Sequence, residues 1–194
     1  MSMLILGLVL FLGAHSVRIV AEGWRTQMRA RLGEGGWKGV YSVLSLAGFV
    51  LVCYGYGAAR LEPVVLWASP IWTRHLAALL MIPAFVMLVA AYVPGNGIKA
   101  RLKHPMLLGV KTWALAHLVA NNTLADVLLF GGFLVWAVLC YRAARQRDAA
   151  AHTVYPPGRT GPTVVTVVVG LVAYVAFALW GHLALIGVRP FGAA

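Results

Sequence analysis

Long apolar runs separated by short polar gaps form the hydropathy pattern of the chain. Six runs approach the roughly 20 residues that a helix needs to cross a bilayer. They cover about residues 3–20, 39–59, 72–93, 106–121, 124–141 and 163–188, and the fourth is the shortest. A β-branched stretch in the last run would favour a strand in water, but an open strand edge leaves backbone groups unpaired in hydrocarbon. The pattern therefore predicts an all-α fold, a polytopic membrane helix bundle with six transmembrane helices.

Composition strengthens this interpretation. Of the 194 residues, 61% are hydrophobic and only 11% are charged, whereas soluble domains are about 25% charged. Mean hydropathy is +0.84. Because apolar runs recur along the whole chain, no separate soluble domain is expected. We therefore predict a single transmembrane domain over residues 1–194.

Basic residues lie mostly in the gaps between the apolar runs and give a net charge of +11. Eleven of the sixteen occupy the first, third and fifth gaps: Arg25, Arg29, Arg31, Lys38, Lys99, Arg101, Lys103, Arg142, Arg145, Arg147 and Arg159. The positive-inside rule then places both termini on the non-cytoplasmic side. A rival topology with five spans and a re-entrant fourth segment would separate the third and fifth basic gaps. Nucleic-acid binding needs a basic face or stripe, so we expect no nucleic-acid partner.

Turn and cap signals mark the gaps. Gly33, Gly35 and Gly36 predict a loop after the first helix, and residues 94–97 (Pro-Gly-Asn-Gly) predict a turn. Thr123 followed by Asp126 resembles a helix-capping pair, with Asp where Glu is usual. Pro83, inside the third run, predicts a kink.

The predicted spans contain histidines, and intramembrane ionisable residues are functional candidates. Five lie in or beside spans: His15, His75, His104, His117 and His182. His75 and His182 lie near Trp72 and Trp180 at span ends, which favours packing at the interface. His104 is expected to be a loop or cap residue. For His15 and His117 the sequence leaves two interpretations, a packing residue or a metal ligand.

The other side chains limit the choice of metal. Asp126 is the one carboxylate within a predicted span, so a zinc or di-iron carboxylate site is poorly supplied. Cys53 and Cys140 form no C-x-x-C pattern, and we expect both to be buried thiols rather than a redox pair or a c-type haem attachment. Neutral imidazole suits haem iron, which needs only one or two axial ligands.

Two sequence segments resemble a known family. Residues 101–109 (RLKHPMLLG) are followed by Trp113-Ala-Leu-Ala-His117 and Asn121-Asn122, and helix one contains Gly13-Ala-His15-Ser16. This pattern resembles the NnrU family of bacterial membrane proteins, which is associated with nitrogen-oxide metabolism in denitrifying bacteria. The family is homologous to the plastid zeta-carotene isomerase, a membrane enzyme that carries haem b. The resemblance covers most of the chain.

The resemblance implies that His15 and His117 are the axial ligands of a haem b iron. The isomerase has a cysteine, implicated as an alternative ligand, where this chain has Ala114. Trp113 would then pack on the porphyrin, Asn121 would orient the imidazole of His117, and Arg18 and Lys111 would meet haem propionates or extend to the interface. In the predicted topology the depths of His15 and His117 differ by about 10 Å. His104, His75 and His182 therefore remain alternative ligands.

Two functions follow from the resemblance. The first is a haem b protein of the bacterial inner membrane that supports nitrite or nitric oxide metabolism by redox or gas-ligand sensing or by maturation of reductases. The alternative is a haem-dependent cis/trans isomerase of a lipophilic polyene, which Ala114 disfavours. Whether the chain is an enzyme therefore stays open. The expected partners are membrane lipid and either nitric oxide or a polyene. A transporter is disfavoured because no internal repeat is visible.

Overall fold

A computed structural model describes residues 1–191 of the chain, and over these residues the fold is helical. In chain order the helices are α1 (Ser2–Val20), α2 (Glu22–Ala59), α3 (Trp72–Tyr92), α4 (Gly97–Leu102), α5 (Pro105–Ala120), α6 (Leu124–Ala150), α7 (Thr160–Ala176) and α8 (His182–Ile186). Extended pairing in this part of the chain is limited to two isolated bridges. The all-α prediction is confirmed, including helix across the β-branched stretch in α7.

Five helical segments of the described chain are long and apolar enough to cross a membrane: α1, α2, α3, α6 and the continuous helix Thr160–Ile186. Many of their apolar side chains are exposed on the outside, as lipid contact requires, for example Val9, Val43 and Val172. The fourth predicted span corresponds to α5, which has 16 residues and rises about 24 Å, less than the roughly 30 Å of a hydrocarbon core. The sixth span and the orientation of the termini therefore stay predictions.

The predicted loop after the first helix is wrong, because most of it is helical. α2 begins at Glu22 and has non-helical backbone angles within it at Gly33, where φ is 71° and ψ is 169°. Residues 22–32 contain several good helix formers, and the Arg25 guanidinium lies 3.0 Å from the Glu22 carboxylate one turn earlier. Local helix propensity thus outweighed the turn signal of the glycines, and only Gly33 breaks the helix.

The first compact unit comprises Met1–Ala68 and Asn121–Ala143. Its core is the close packing of α1 against α2, where glycines bring the two backbones together. A Cβ atom at Gly7 would lie 2.5 Å from the Val52 amide nitrogen, and one at Gly48 would lie 2.7 Å from the Phe11 amide nitrogen. Small residues permit this approach between membrane helices.

An irregular segment, residues 60–71, follows α2 and is paired in part to the residues around the start of α6. The amide of Leu66 donates to the Asn122 carbonyl at 2.8 Å, and the amide of Leu124 donates to the Val64 carbonyl at 2.9 Å. These bonds hold irregular backbone that would otherwise need water as its partner.

The second compact unit comprises Ser69–Ala120 and the chain from Ala144 onward. Here α3 packs on α5 and α7: a Cβ at Gly170 would lie 2.7 Å from the Cα of Val86, and the Tyr174 hydroxyl donates to the Ala78 carbonyl at 3.1 Å. The turn predicted at residues 94–97 is present. Asn96, 1% exposed, caps α4 by accepting the Lys99 amide at 2.7 Å. The kink at Pro83 stays a prediction.

A π-helical turn, Phe177–Gly181, joins α7 to α8. The joined helix ends at Gly187, whose φ of 75° is the left-handed conformation that favours glycine after a helix.

Candidate functional site

His15 lies in the second half of α1, half-buried among aromatic side chains of the first unit. Its Nδ1 is 2.7 Å from the Phe11 carbonyl oxygen one turn earlier. Its ring centroid lies 4.3 Å from that of Phe11, 5.3 Å from that of Tyr41 in α2, and 6.1 Å from that of Trp136 in α6. The Nδ1 contact favours the tautomer with its lone pair on Nε2, the form that binds metals through that nitrogen.

The indole N–H of Trp136 is buried and has no hydrogen-bond partner among residues 1–191. A buried donor without an acceptor costs about 1–3 kcal/mol. Trp136 is therefore a polar group beside His15 that an acceptor on a bound molecule would satisfy.

A cavity of about 330 Å³ opens beside His15 in the first unit. Three stretches of the chain supply its walls: the second half of α1, the helical segment before Gly33, and the start of α2 after it. Its lining residues are Ala14, His15, Val17, Arg18, Arg25, Arg29, Glu34, Trp37, Lys38 and Tyr41. This volume falls near the lower end of ligand pockets, which span about 300–1,000 Å³.

Positive charge dominates this lining. We call Arg18, Arg25, Arg29 and Lys38 the basic rim of the cavity. Glu34 is the acidic residue of the lining, and its carboxylate lies 2.7 Å from the Lys38 ammonium. That pair is largely exposed, so its contribution to stability is small. The sequence predicted Arg18 as a neighbour of a ligand bound at His15. It did not predict Arg25, Arg29 and Lys38 there, because these three residues were expected to lie in a loop.

Gly33 places the segment before it and the segment after it on the same cavity. Its combination of φ 71° and ψ 169° belongs to a region that is essentially restricted to glycine. Arg25 and Arg29 precede this break and Trp37 and Tyr41 follow it, yet all four line the cavity. The glycine thus determines the composition of the site without contacting a ligand.

Gly33→Ala is expected to lower the free energy of unfolding by about 1–3 kcal/mol. Gly35→Ala is the matched control, because Gly35 lies in the same helix at an ordinary φ and a Cβ there meets no atom within 4 Å. The control is expected to be neutral or to stabilise by about 0.5–1 kcal/mol through helix propensity. Thermal unfolding of the two variants in mild detergent measures the difference, and equal transitions would contradict the backbone argument.

His117 lies in α5 of the second unit. Its Nδ1 is 2.9 Å from the Trp113 carbonyl oxygen, again one turn earlier, and the two rings are 5.4 Å apart. Trp113 and His117 thus share a helix face, as their spacing predicts. Lys111 is half-buried on the same helix. Asn121, predicted to orient His117, lies just past the end of α5 and is counted in the other compact unit.

The alternative histidines have other surroundings. His75, at the start of α3, is exposed. The Nδ1 of His182 is 2.7 Å from the Val188 carbonyl oxygen, which fits a packing role.

His104 lies just before α5 and belongs to a polar cluster of the second unit. Its Nε2 is 2.8 Å from the Asp148 carboxylate, to which the Tyr155 hydroxyl donates at 3.0 Å. Burial raises the pKa of the Tyr155 phenol above its ordinary value, and the hydrogen bond to Asp148 raises it further. The interpretation of His104 as a loop residue is correct as to place, but no sequence signal indicated its partners. The contact to Asp148 engages the ring nitrogen that an iron ligand would use.

A second polar cluster, in the first unit, surrounds Asp126. This carboxylate is 5% exposed and accepts hydrogen bonds from the Tyr56 hydroxyl at 2.6 Å, the Thr123 hydroxyl at 2.6 Å and the Thr123 amide at 3.0 Å. The capping pair predicted from Thr123 and Asp126 is therefore confirmed, and it includes the reciprocal bond from the Asp126 amide to Thr123. Tyr56 was missed because nothing in its spacing marks it.

Within residues 1–191, no three histidine, cysteine or acidic side chains come close enough to hold a metal ion together. Cys140 is buried as predicted, but Cys53 is exposed, so the prediction of a buried thiol is wrong there. The Val52 backbone lies against Gly7 of α1, and because a helix turns by about 100° per residue, the side chain of Cys53 lies on a different face from that of Val52.

The fold and the site together define a class: an all-helical, multi-pass membrane protein with a helix-borne histidine beside a basic cavity. The chain belongs to the NnrU protein family, whose model matches residues 3–190. The resemblance to that family is thereby confirmed. The relation to the plastid isomerase stays a prediction. No curated protein and no solved structure matches the chain.

Proposed function

We propose that this NnrU family member is a haem b protein of the bacterial cytoplasmic membrane that supports nitrite or nitric oxide metabolism. It does so by redox or gas-ligand sensing or by assisting the maturation of reductases. The family membership supports the link to nitrogen oxides. The observation that carries the haem proposal is His15, with its Nδ1 against a backbone carbonyl and its ring beside a basic cavity.

The residues around His15 fit a haem in three respects. The tautomer favoured by the Phe11 carbonyl leaves the lone pair on Nε2. Phe11, Tyr41 and Trp136 supply the aromatic surroundings, and the Trp136 N–H is a buried donor that lacks an acceptor among the described residues. The basic rim supplies charge opposite to that of haem carboxylates.

His117 is the other histidine that would hold the haem iron, as the family resemblance implies. It repeats the arrangement of His15, with an aromatic residue and a carbonyl acceptor one turn earlier. The hydrogen bond from Nδ1 to the backbone carbonyl fixes the orientation of each imidazole, and the same bond raises the basicity of Nε2 as a ligand. When bound, haem b would supply one-electron chemistry, and with both histidines on the iron a diatomic gas would bind only by replacing one of them.

An isomerase function is disfavoured for this chain. The position of the implicated cysteine is Ala114, which is fully buried in α5, so the chain supplies no thiol at that point.

A strain of a denitrifying bacterium that lacks this protein tests the proposal when complemented with wild type, His15→Ala, His117→Ala or His75→Ala. The purified wild-type protein is expected to show a b-type spectrum in the pyridine haemochrome assay. Each of the first two variants is expected to lose most of the bound haem, because each removes an imidazole that would hold the iron. His75→Ala, at an exposed position, serves as the control and should retain it.

The same strains report on the nitrogen-oxide role. Deletion is expected to cause nitrite or nitric oxide to accumulate during anaerobic growth on nitrate, and the two ligand variants should fail to correct this. Wild-type protein that stays colourless despite a haem supply would remove the haem proposal. A normal b-type spectrum with unchanged nitrite and nitric oxide would remove the nitrogen-oxide role alone.

A further inference from the structure

We infer that the basic rim binds the two carboxylate groups of the haem, so that the propionate edge of the ring faces Arg18, Arg25, Arg29 and Lys38. The inference rests on the proposed function, and it assigns a ligand subsite and an orientation within it. The charge, the apolar surroundings and the position of the cavity support this orientation.

The charge of the cavity wall is not balanced by the protein. Four cationic side chains and one carboxylate line it. Arg25 and Lys38 are each paired with an acid of α2. Arg18 and Arg29 have no carboxylate within 4 Å in residues 1–191. Guanidinium groups bind carboxylates with two parallel hydrogen bonds, and a haem brings two carboxylates.

The rest of the lining is apolar or aromatic: Ala14, Val17, Trp37 and Tyr41. A ligand that fits both parts has an anionic edge and an apolar body. Anionic phospholipid and haem share that chemistry. His15 lines the same cavity, and an imidazole that presents Nε2 suits an iron porphyrin. A lipid phosphate would be bound by the rim alone and would make no use of this imidazole. The lining therefore favours haem.

The position of the rim also suits carboxylates. Trp24 and Trp37 lie edge to face with ring centroids 6.0 Å apart, and the Trp24 side chain is half exposed. Tryptophans anchor helices at the boundary between membrane and water. Carboxylates held at that boundary keep part of their hydration and avoid the high cost of a charge in hydrocarbon. The iron ligand His15 then lies one turn deeper in α1 than Arg18.

Esterification of the carboxylates provides the test. Protein made in a haem-deficient host and purified in mild detergent is titrated with haemin and with haemin dimethyl ester, which lacks both charges. Wild type is expected to bind haemin at least about tenfold more tightly than the ester. In the double variant Arg18→Gln/Arg29→Gln, the two ligands should bind with nearly equal affinity.

Arg31→Gln is the matched control, since Arg31 lies in the same helical segment but does not line the cavity. It should keep the wild-type preference. Equal binding of haemin and ester by wild type overturns the inference and leaves the proposed function standing. Failure of both to bind wild type overturns the proposed function, and the inference with it.

A measurement of lipid binding distinguishes haem from anionic phospholipid, the other ligand with an anionic edge and an apolar body. Retention of phosphatidylglycerol and phosphatidylcholine is measured in the same proteins. If the double variant loses phosphatidylglycerol while haemin and ester remain indistinguishable in wild type, the rim is a lipid site and the inference is wrong. Preference for haemin that disappears in the double variant, with lipid retention unchanged, supports it.

Discussion

Gly48→Ala is expected to destabilise the protein by about 1–3 kcal/mol or more, as overpacking does in tightly packed cores. The added Cβ would lie 2.7 Å from the amide nitrogen of Phe11 and 2.9 Å from its Cα. Both atoms belong to the backbone of α1, so no side-chain rotation relieves the overlap. The two helices must move apart at the level of Phe11.

The same substitution should weaken haem binding, since the Phe11 carbonyl is the acceptor that fixes the His15 ring. Gly57→Ala is the control: it lies in α2 near the same interface, but a Cβ there meets nothing within 4 Å. Thermal unfolding and haem content of both variants in detergent check the prediction. A Gly48→Ala protein as stable as Gly57→Ala would show that α1 and α2 are not packed backbone to backbone.

Asp126→Ala is expected to lower the free energy of unfolding by about 3 kcal/mol. The substitution leaves the Tyr56 hydroxyl and two donors of Thr123 without their acceptor, and a buried unsatisfied donor costs about 1–3 kcal/mol. It also removes the reciprocal half of the cap at the start of α6, in which the Asp126 carboxylate accepts the Thr123 amide. Nearly complete burial of the carboxylate means that water cannot readily replace it.

Tyr56→Phe separates the two contributions. It removes one donor and keeps the cap, so the expected loss is about 1 kcal/mol. Both variants are measured by the same thermal unfolding, with wild type as reference. If Tyr56→Phe proves as damaging as Asp126→Ala, the capping interaction with Thr123 adds little and the helix start is held by other contacts.

Sequence reasoning succeeded where the signal is local. The apolar runs located five spans because their length and composition are read within one segment, and the Thr123–Asp126 pair was recognised because a cap involves residues three apart. It failed for residues 22–32, since glycines at three positions suggested a loop although only Gly33 takes up a non-helical conformation. The helix propensity of the preceding residues was the signal that should have prevailed.

The site was predicted in part for the same reason. His15 and Arg18 were expected from the family pattern, and both line the cavity. The assignment of His117 and Trp113 to a haem site stays a prediction. Arg25 and Arg29 reach the His15 cavity only because the chain changes direction at Gly33. The partners of Asp126 and His104 lie 70 and 44 residues away along the chain. Such pairings depend on tertiary structure, and a single sequence contains no spacing that specifies them.

The π-helical turn at Phe177–Gly181 affects how related chains should be aligned. A π turn holds one residue more than the α turn that it replaces, which rotates every later side chain by about 100°. A helical wheel drawn from α7 therefore assigns His182 to the wrong side of the helix. Family members that lack one residue at this point would keep the same span length by forming a continuous α-helix. A one-residue gap here thus marks a local change of winding and leaves the ends of the helix in register.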